Sequence, residues 1–526
     1  MANFEIKDGV GIIPDSVSEI DEGAFEYCTG LTSVTIPDSV TSIGSAAFKG
    51  CTGLTSITIP DSVTEIGYQT FLGCTGLTSV TIPDSVTEIG DWAFSDCSGL
   101  TSIVVSSGNK VFDSRNNCNA VIETAKNSLI TGCANTTIPD SVTEIGKSAF
   151  LGCTGLTSVT IPDSVTEIGE SAFEGCTGLT SITIPGSVTW ISREAFKGCA
   201  GLTSVTIPDS VTEIDDSVFE GCTGLKSVTI PDSVTVIRSH VFSSCTSLTS
   251  ITIPDSVTRF SGSAFARCTA LTNIIVALGN KVFDSRNNCN AIIETAKNRL
   301  ITGCANTTIP DSVTEIGEWA FDGCTGLTSI VVPDSVTKIG QYAFKGCTGL
   351  TSIAIPDSVT YIGLETFGGC TGLTSVTIPN SVTEIGYGAF ENCTSLGVIT
   401  IPNSVTEIRQ YAFEGCTGLT SIVIPDSVTE ISEGAFRNCT SLQSISILGP
   451  VKKLERTFAD CTALETVTLG AGIKKIEENT FDGCTALKTI NVPAKKADYY
   501  KNRLPAELHH LIVELPAEKK TASKRK

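Results

Sequence analysis

The chain has 526 residues, and 35 Lys plus Arg against 56 Asp plus Glu leave a formal charge of −21. Such an acidic balance excludes nucleic acid and anionic membranes as general partners, because both require a basic face to neutralise phosphate. No apolar run approaches the roughly 18 residues of a membrane span. Three histidines, His240, His509 and His510, and a single initiator Met leave almost no material for His-based catalysis or metal ligation.

The first residues, MANFEIKDGV, show no basic segment followed by an apolar one, so no secretory signal is visible. Residues 1–27 are expected to form an N-terminal capping coil. From Cys28 onward the cysteines mark a period. Cys28, Cys51, Cys74 and Cys97 stand 23 residues apart, as do the six from Cys153 to Cys268 and the six from Cys324 to Cys439. Only a tandem repeat does this. Eighteen of the 22 cysteines follow a Phe three residues earlier, from Phe25 before Cys28 to Phe481 before Cys484.

Written from Leu31, the unit is LTSVTIPDSVTEIGxxAFxGCTG with small variations, Ser42 in this copy among them. Leu31, Val34 and Ile36 form the L-x-x-V-x-I pattern of a short strand, with Ser33 and Thr35 alternating outward. Pro37 and Asp38 end it, because Pro cannot donate to a ladder and Asp favours turns. Val40 and Ile43 give a second inward pair, and the stretch from Ala47 to Cys51 predicts a single helical or 3-10 turn. One coil cannot bury its own apolar face, whereas stacked coils can. Residues 28–493 are therefore expected to form one repeat solenoid of about 20 coils, with a parallel sheet on one face and short strands and 3-10 turns on the other.

Two coils, near 98–138 and 269–309, depart from the unit. The stretch GNKVFDSRNNCNAVIETAKN at 108–127 returns almost unchanged at 279–298, an offset of 171 residues. Ala120 to Thr124 and Ser128 to Gly132 read as two β-runs flanking Ala125, Lys126 and Asn127, a hairpin projecting from the stack. After Pro493 the period stops. Residues 494–515, with Tyr499, Tyr500 and Leu504, are expected to cap the last coil, and residues 516–526 to be a disordered basic tail.

The L-x-x-V-x-I-P, V-x-x-I and AFxGC elements, together with the NNCNAVIETAKN coil, resemble the BspA-like leucine-rich repeats, also called the Treponema pallidum type. The resemblance runs over about residues 10–493. It implies a leucine-rich-repeat right-handed superhelix with a parallel sheet along one face. It also implies a surface or secreted protein of the kind implicated in binding host matrix proteins and in co-aggregation, with no catalytic residues to transfer. Without a visible signal segment, a cytoplasmic location stays open.

The cysteine column offers no converging C-x₂₋₄-C pairs for a metal, and stacked equivalents point in parallel rather than toward each other. It reads as a ladder of buried reduced thiols, each a small hydrophobe with a weak donor for a turn carbonyl. Cys118–Cys133 and Cys289–Cys304, in irregular coils, are the best disulfide candidates. The columns of Asp38, Asp61 and Asp84 and of Glu65 and Glu88 read as turn formers and solvated faces, since single carboxylates on a ridge do not converge on a calcium ion. The outward Ser33-x-Thr35 column resembles ice-binding arrays, but Thr is simply favourable on an exposed strand.

Where copies differ, bulky residues appear. Trp92, Trp319, Tyr342, Tyr387 and Tyr411 stand at the variable positions before the Ala-Phe pair, and Tyr361 stands two before Gly363. Of these, Trp319, Tyr342, Tyr361, Tyr387 and Tyr411 are the candidate partner-binding stripe, because Trp and Tyr supply large contact area at low entropic cost. Trp190, Arg193, Lys226, Arg238, His240, Arg259 and Arg267 form a second, basic candidate patch. Repetition itself argues against catalysis, which needs one asymmetric constellation. The expected protein is a non-enzymatic binding scaffold without cofactor or metal, adhesin-like, contacting a protein or glycan. The alternative is a structural spacer or self-assembling repeat protein with no discrete ligand.

Overall fold

The computed structural model describes residues 4–516, so the tail from residue 517 lies outside the described residues. The chain divides into two compact units, Met1–Cys268 with Ala277–Asn280 and Thr269–Val276 with Lys281–Lys526. Each is a parallel β-solenoid with little helix, and the two share about 22 turns.

In the first unit the regular coils contribute one longer strand, reduced to the isolated bridges of Ser56 and Thr58 in one coil, and one strand of two residues. Ser33–Thr35 pairs in parallel with Val10–Ile12, Val34 opposite Gly11. Glu65–Ile66 pairs in parallel with Ser42–Ile43 on one side and Glu88–Ile89 on the other. Residues 23 apart thus sit side by side, and like stacks on like. Leu31, Val34, Ile36, Val40, Ile43 and Phe48 are all buried, whereas Thr35 is exposed. Conserving the apolar pattern from coil to coil builds a continuous core that no single coil possesses. Phe25 and Phe48 stack with ring centroids 5.2 Å apart, Phe48 and Phe71 at 5.4 Å.

The repeated hydroxyls stitch this stack. Ser62 Oγ donates to Val40 O at 2.6 Å and Thr41 Oγ1 to Ser18 O at 3.2 Å, each reaching the preceding coil. The thiols do likewise: Cys51 Sγ donates to Phe25 O at 3.0 Å and Cys74 Sγ to Phe48 O at 3.1 Å. All 22 cysteines are free, those of the irregular coils included, where Cys133 Sγ donates to Asn119 O at 3.3 Å. The Ser33-x-Thr35 array is discontinuous, since exposed Val104 takes the Thr place in this unit.

The third side keeps the expected 3-10 turn in a few coils and replaces it in most. Ala46 and Gly50 are left-handed, with φ of 53° and 69°, and equivalent residues repeat this in coil after coil. Residues in left-handed backbone interrupt any helix of L-residues. Their backbone donors serve two directions instead. Phe48 N–H reaches Thr70 O in the next coil at 2.9 Å and Gly50 N–H reaches Leu72 O at 2.7 Å, whereas Cys51 N–H turns back to Phe48 O at 3.1 Å. Short 3-10 segments occur at Gly262–Phe265 in this unit and Glu478–Phe481 in the second.

The irregular coil holds the expected hairpin, Ala120–Glu123 antiparallel to Ser128–Gly132 with a bulge between Val121 and Ile122. It does not project. Ser128–Gly132 pairs in parallel with Glu144–Ile145 and so extends the short-strand sheet. Val121, Ile122 and Leu129 are fully buried, because both faces of the hairpin carry apolar side chains that only the stack can cover. Arg115 explains the rest of the motif: it donates to Asp113 through Nε at 2.8 Å, to Asn127 Oδ1 at 2.8 Å and to Ser141 Oγ at 3.1 Å. Arg286 repeats these contacts with Asp284, Asn298 and Ser312 in the second unit.

The second unit follows the same plan. Tyr361–Ile362, Glu384–Ile385, Glu407–Ile408 and Glu430–Ile431 form its short-strand ladder. Its long-strand ladder runs from Ser421–Ile424 to Thr489–Val492 and ends on Ile512–Glu514. Between those last two strands, the helix Ala497–Lys501 buries Tyr500, whose hydroxyl donates to Gly470 O. Tyr499 Oη donates to Ile473 O at 2.9 Å, beneath the Arg503 guanidinium 3.6 Å from its ring centroid.

Candidate binding surface

The variable positions lie on the third side and on the short strands, where the chain faces solvent. In the second unit, Trp319, Tyr342 and Tyr411 occupy the left-handed position before the Ala-Phe pair, with φ of 61°, 58° and 58°. Tyr387 stands one residue earlier, next to left-handed Gly388, with φ of 54°. Tyr361 belongs to the short strand instead.

These five residues therefore do not make one stripe. Trp319 and Tyr342 stack face to face, centroids 4.0 Å apart and planes at 14°. Both are half-buried, and Lys345 Nζ lies 5.2 Å from the Tyr342 centroid while pairing with Glu365. Tyr387 and Tyr411 meet edge to face at 5.4 Å. Tyr361 and Tyr387 are the exposed members, at 42% and 39%. Burial, and then the Glu365 and Glu414 carboxylates, push the Glu391 carboxyl up, so the surroundings of the Tyr387–Tyr411 corner are acidic. Burial followed by the Tyr411 ring raises the Tyr387 hydroxyl as well.

The basic candidates of the first unit are spread over several columns, and two of them, Arg193 and Arg238, stand in ion pairs. Trp190, 40% exposed, and Arg259 share the exposed place on their short strands. Arg193 pairs with Glu170 at 3.3 Å and lies 3.9 Å from Glu194. Arg238 pairs with Glu213 and lies 3.6 Å from Asp215. His240 and Arg267 are left-handed residues of the third side, φ 56° and 60°, whereas Lys226 precedes the long strand Ser227–Thr229. Among the described residues no group of three His, Cys, Asp or Glu converges as metal ligands would.

A feature that periodicity alone does not disclose lies in the first unit, beside the hairpin. A cleft of about 420 Å³ is lined by Trp92, Glu88, Asp91, Lys126, Glu144 and Lys147 among others. Trp92, left-handed at φ 61°, donates its indole N–H to Ser148 Oγ at 2.7 Å. Tyr68 packs on it at 5.3 Å and 51°, and Lys147 Nζ lies 5.4 Å from its ring centroid. Trp92 itself was visible as a departure from the repeat, but the hairpin wall opposite it is a tertiary feature.

No helix among the described residues is long and apolar enough to cross a membrane. No curated protein matches the chain. Among solved structures, a leucine-rich cell surface protein from Faecalibacterium prausnitzii A2-165 is 31% identical, over 74% of this chain and 87% of that one, with a TM-score of 0.46. A leucine-rich repeat protein from Bacteroides ovatus is 28% identical, over 88% and 92% of the two chains, TM-score 0.37. One from Eubacterium ventriosum is 23% identical, over 70% and 92%, TM-score 0.48. The family model of the BspA type leucine rich repeat region matches residues 11–121, 129–212, 189–297, 298–420 and 406–504. With the repeat legible in the sequence and its coils stacked in register, the chain belongs to the BspA-type leucine-rich-repeat family.

Proposed function

We propose that the protein is a non-enzymatic scaffold, displayed at a cell surface or secreted, that holds a protein or glycan partner against the aromatic side of its second unit. The observation that carries this reading is the backbone beneath the rings. At the position of Trp319, Tyr342 and Tyr411 other coils place Ala46, Ser148, Ser171 or Gly388, all with positive φ. The backbone is thus the same in every such coil and only the side chain differs, so the rings are bulky departures on a common frame, and Trp and Tyr supply large contact area at low entropic cost. Tyr387 and Tyr361 are the exposed anchors, and the Trp319–Tyr342 stack widens the face. Repetition of single carboxylates along a ridge supplies no asymmetric set of reacting groups, which favours binding over catalysis. The cell-surface description of the Faecalibacterium relative favours the location.

Biosensor measurements on the intact chain test this, with fibronectin as the matrix-protein probe and mucin as the glycan probe. The wild type should bind one of them, and Tyr387→Ala with Tyr411→Ala should weaken that binding at least tenfold while the variant still unfolds cooperatively, a few degrees below wild type at most. Undiminished binding by the folded double variant, or binding of neither probe by a chain that self-associates in sedimentation, would overturn the proposal in favour of a spacer.

A further inference from the structure

We infer that the cleft beside Trp92 is a carbohydrate subsite that takes a hexopyranose ring against the indole face. It is separate from the aromatic side of the second unit and does not depend on it. The cleft exists because the hairpin of the irregular coil enters the short-strand sheet and forms a wall opposite Trp92. Its volume of about 420 Å³ falls within the roughly 300–1,000 Å³ of small-ligand sites.

The ring is set in place before any ligand arrives. Its N–H is held by Ser148 at 2.7 Å, Tyr68 packs on it at a tilt of 51°, and its backbone sits at φ 61°. The repeat does not require this tryptophan. Ala46 and Gln69 occupy the same position in the two preceding coils with φ of 53° and 56°, and 171 residues on, at the second copy of the hairpin motif, Ser263 stands there.

The lining selects the chemistry. Glu88, Asp91 and Glu144 line the cleft as hydrogen-bond acceptors, and Lys126 and Lys147 as donors. A sugar hydroxyl both donates and accepts, so a polyol ring uses both kinds of group while its C–H face covers the indole. Phosphates and nucleotides meet three carboxylates that make no ion pair among the described residues. An aliphatic ligand would leave those carboxylates desolvated. A simple organic cation would meet the like charge of Lys147 over the ring, whereas a neutral sugar can take that ammonium as a hydrogen-bond donor. The Lys147–Glu170 pair, 3.3 Å apart and with both side chains about 40% exposed, is of the weak surface kind. Lys147 is therefore free to swing from the ring to a sugar hydroxyl.

Saturation-transfer NMR on the intact chain, with lactose, maltose, cellobiose and N,N′-diacetylchitobiose as probes, tests the assignment. At least one disaccharide should show saturation of its ring protons with millimolar affinity. Trp92→Ala should weaken it at least tenfold, whereas Trp319→Ala should leave it unchanged. Ala46 shows that alanine is tolerated at this position; should Trp92→Ala nonetheless misfold, Glu88→Gln with Glu144→Gln must weaken the same signal. Four silent disaccharides, binding that survives Trp92→Ala, or loss through Trp319→Ala instead would each overturn the inference. So would choline chloride binding more tightly than every sugar. None of these outcomes bears on fibronectin or mucin binding through Tyr387 and Tyr411.

Discussion

Gly132 lies flat against the ring of Phe150, so close that a Cβ on it would fall far inside contact distance of Phe150 Cε1. Through this pair the backbone of the hairpin seats directly on the Phe150 ring. Gly303 and Phe321 repeat the relationship in the second unit.

Gly132→Ala should therefore overpack the junction. A loss of about 1–3 kcal/mol is expected, read as a lowered melting temperature in calorimetry. Gly186 is the control, since nothing lies within 4 Å of a Cβ there and its φ is not left-handed. Gly186→Ala should be neutral or stabilising by up to about 1 kcal/mol, through a less flexible unfolded chain. Equal melting temperatures for the two variants would contradict the packing read from Phe150.

The thiol ladder predicts an alkaline limit. Burial pushes the thiols of Cys51, Cys74, Cys222, Cys370 and Cys416 from 9.0 up to about 12. Folding holds the proton that the unfolded chain loses, so the stabilisation is complete below pH 9 and is lost as pH rises from 9 toward 12. Each such thiol costs about 1.4 kcal/mol per pH unit once the unfolded form ionises. Melting temperature should fall steeply as pH rises above 9, and the fall should be smaller in a variant with several column cysteines replaced by Ala or Val. A thiol reagent should find almost no reactive cysteine in the native protein at pH 8, and at least about 18 after denaturation without reductant. Fewer than ten would mean that disulfides have replaced the ladder.

The Trp319–Tyr342 stack changes what truncation should do. Fully exposed rings would be silent for stability, but half-buried rings 4.0 Å apart are not. A double-mutant cycle over Trp319→Ala and Tyr342→Ala should give a coupling of about 0.5–1.5 kcal/mol. Zero coupling would mean that the two rings do not stack in solution.

Arg115 anchors the irregular coil, and its loss should be felt at neutral pH. Partial burial alone would raise the Asp113 carboxyl; the hydrogen bonds from the Arg115 side chain and backbone outweigh it and hold that carboxyl below 3.8. Stability from this pair is present above pH 4 and disappears as pH falls through the lowered folded value. Arg115→Leu should cost about 1.5–3 kcal/mol at pH 7, with the gap to wild type narrowing as pH falls below 3.8. A pH-independent gap in chemical denaturation would assign the effect to packing alone.

Much of this molecule is legible in one dimension. Placing Leu31, Val34, Ile36, Val40, Ile43 and Phe48 at the same points of a 23-residue period determines which side chains face inward, because each coil's apolar face can be buried only by an identical neighbour. The same repetition determines that the cysteines lie in parallel and remain thiols. What tertiary structure alone decided concerns the backbone of the third side and the departures from the repeat. A left-handed residue such as Ala46 leaves no mark in a sequence, since its conformation is set by carbonyls of the next coil. Nor does the spacing of Trp319, Tyr342, Tyr361, Tyr387 and Tyr411 reveal that two pairs of rings satisfy each other while Tyr361 sits on a strand. The Trp92 cleft depends on a hairpin wall brought opposite it by parallel pairing with Glu144–Ile145, a contact between segments that share no local pattern. Periodicity encodes what every coil does alike, whereas a site arises where one coil differs and its spatial neighbours happen to complete it.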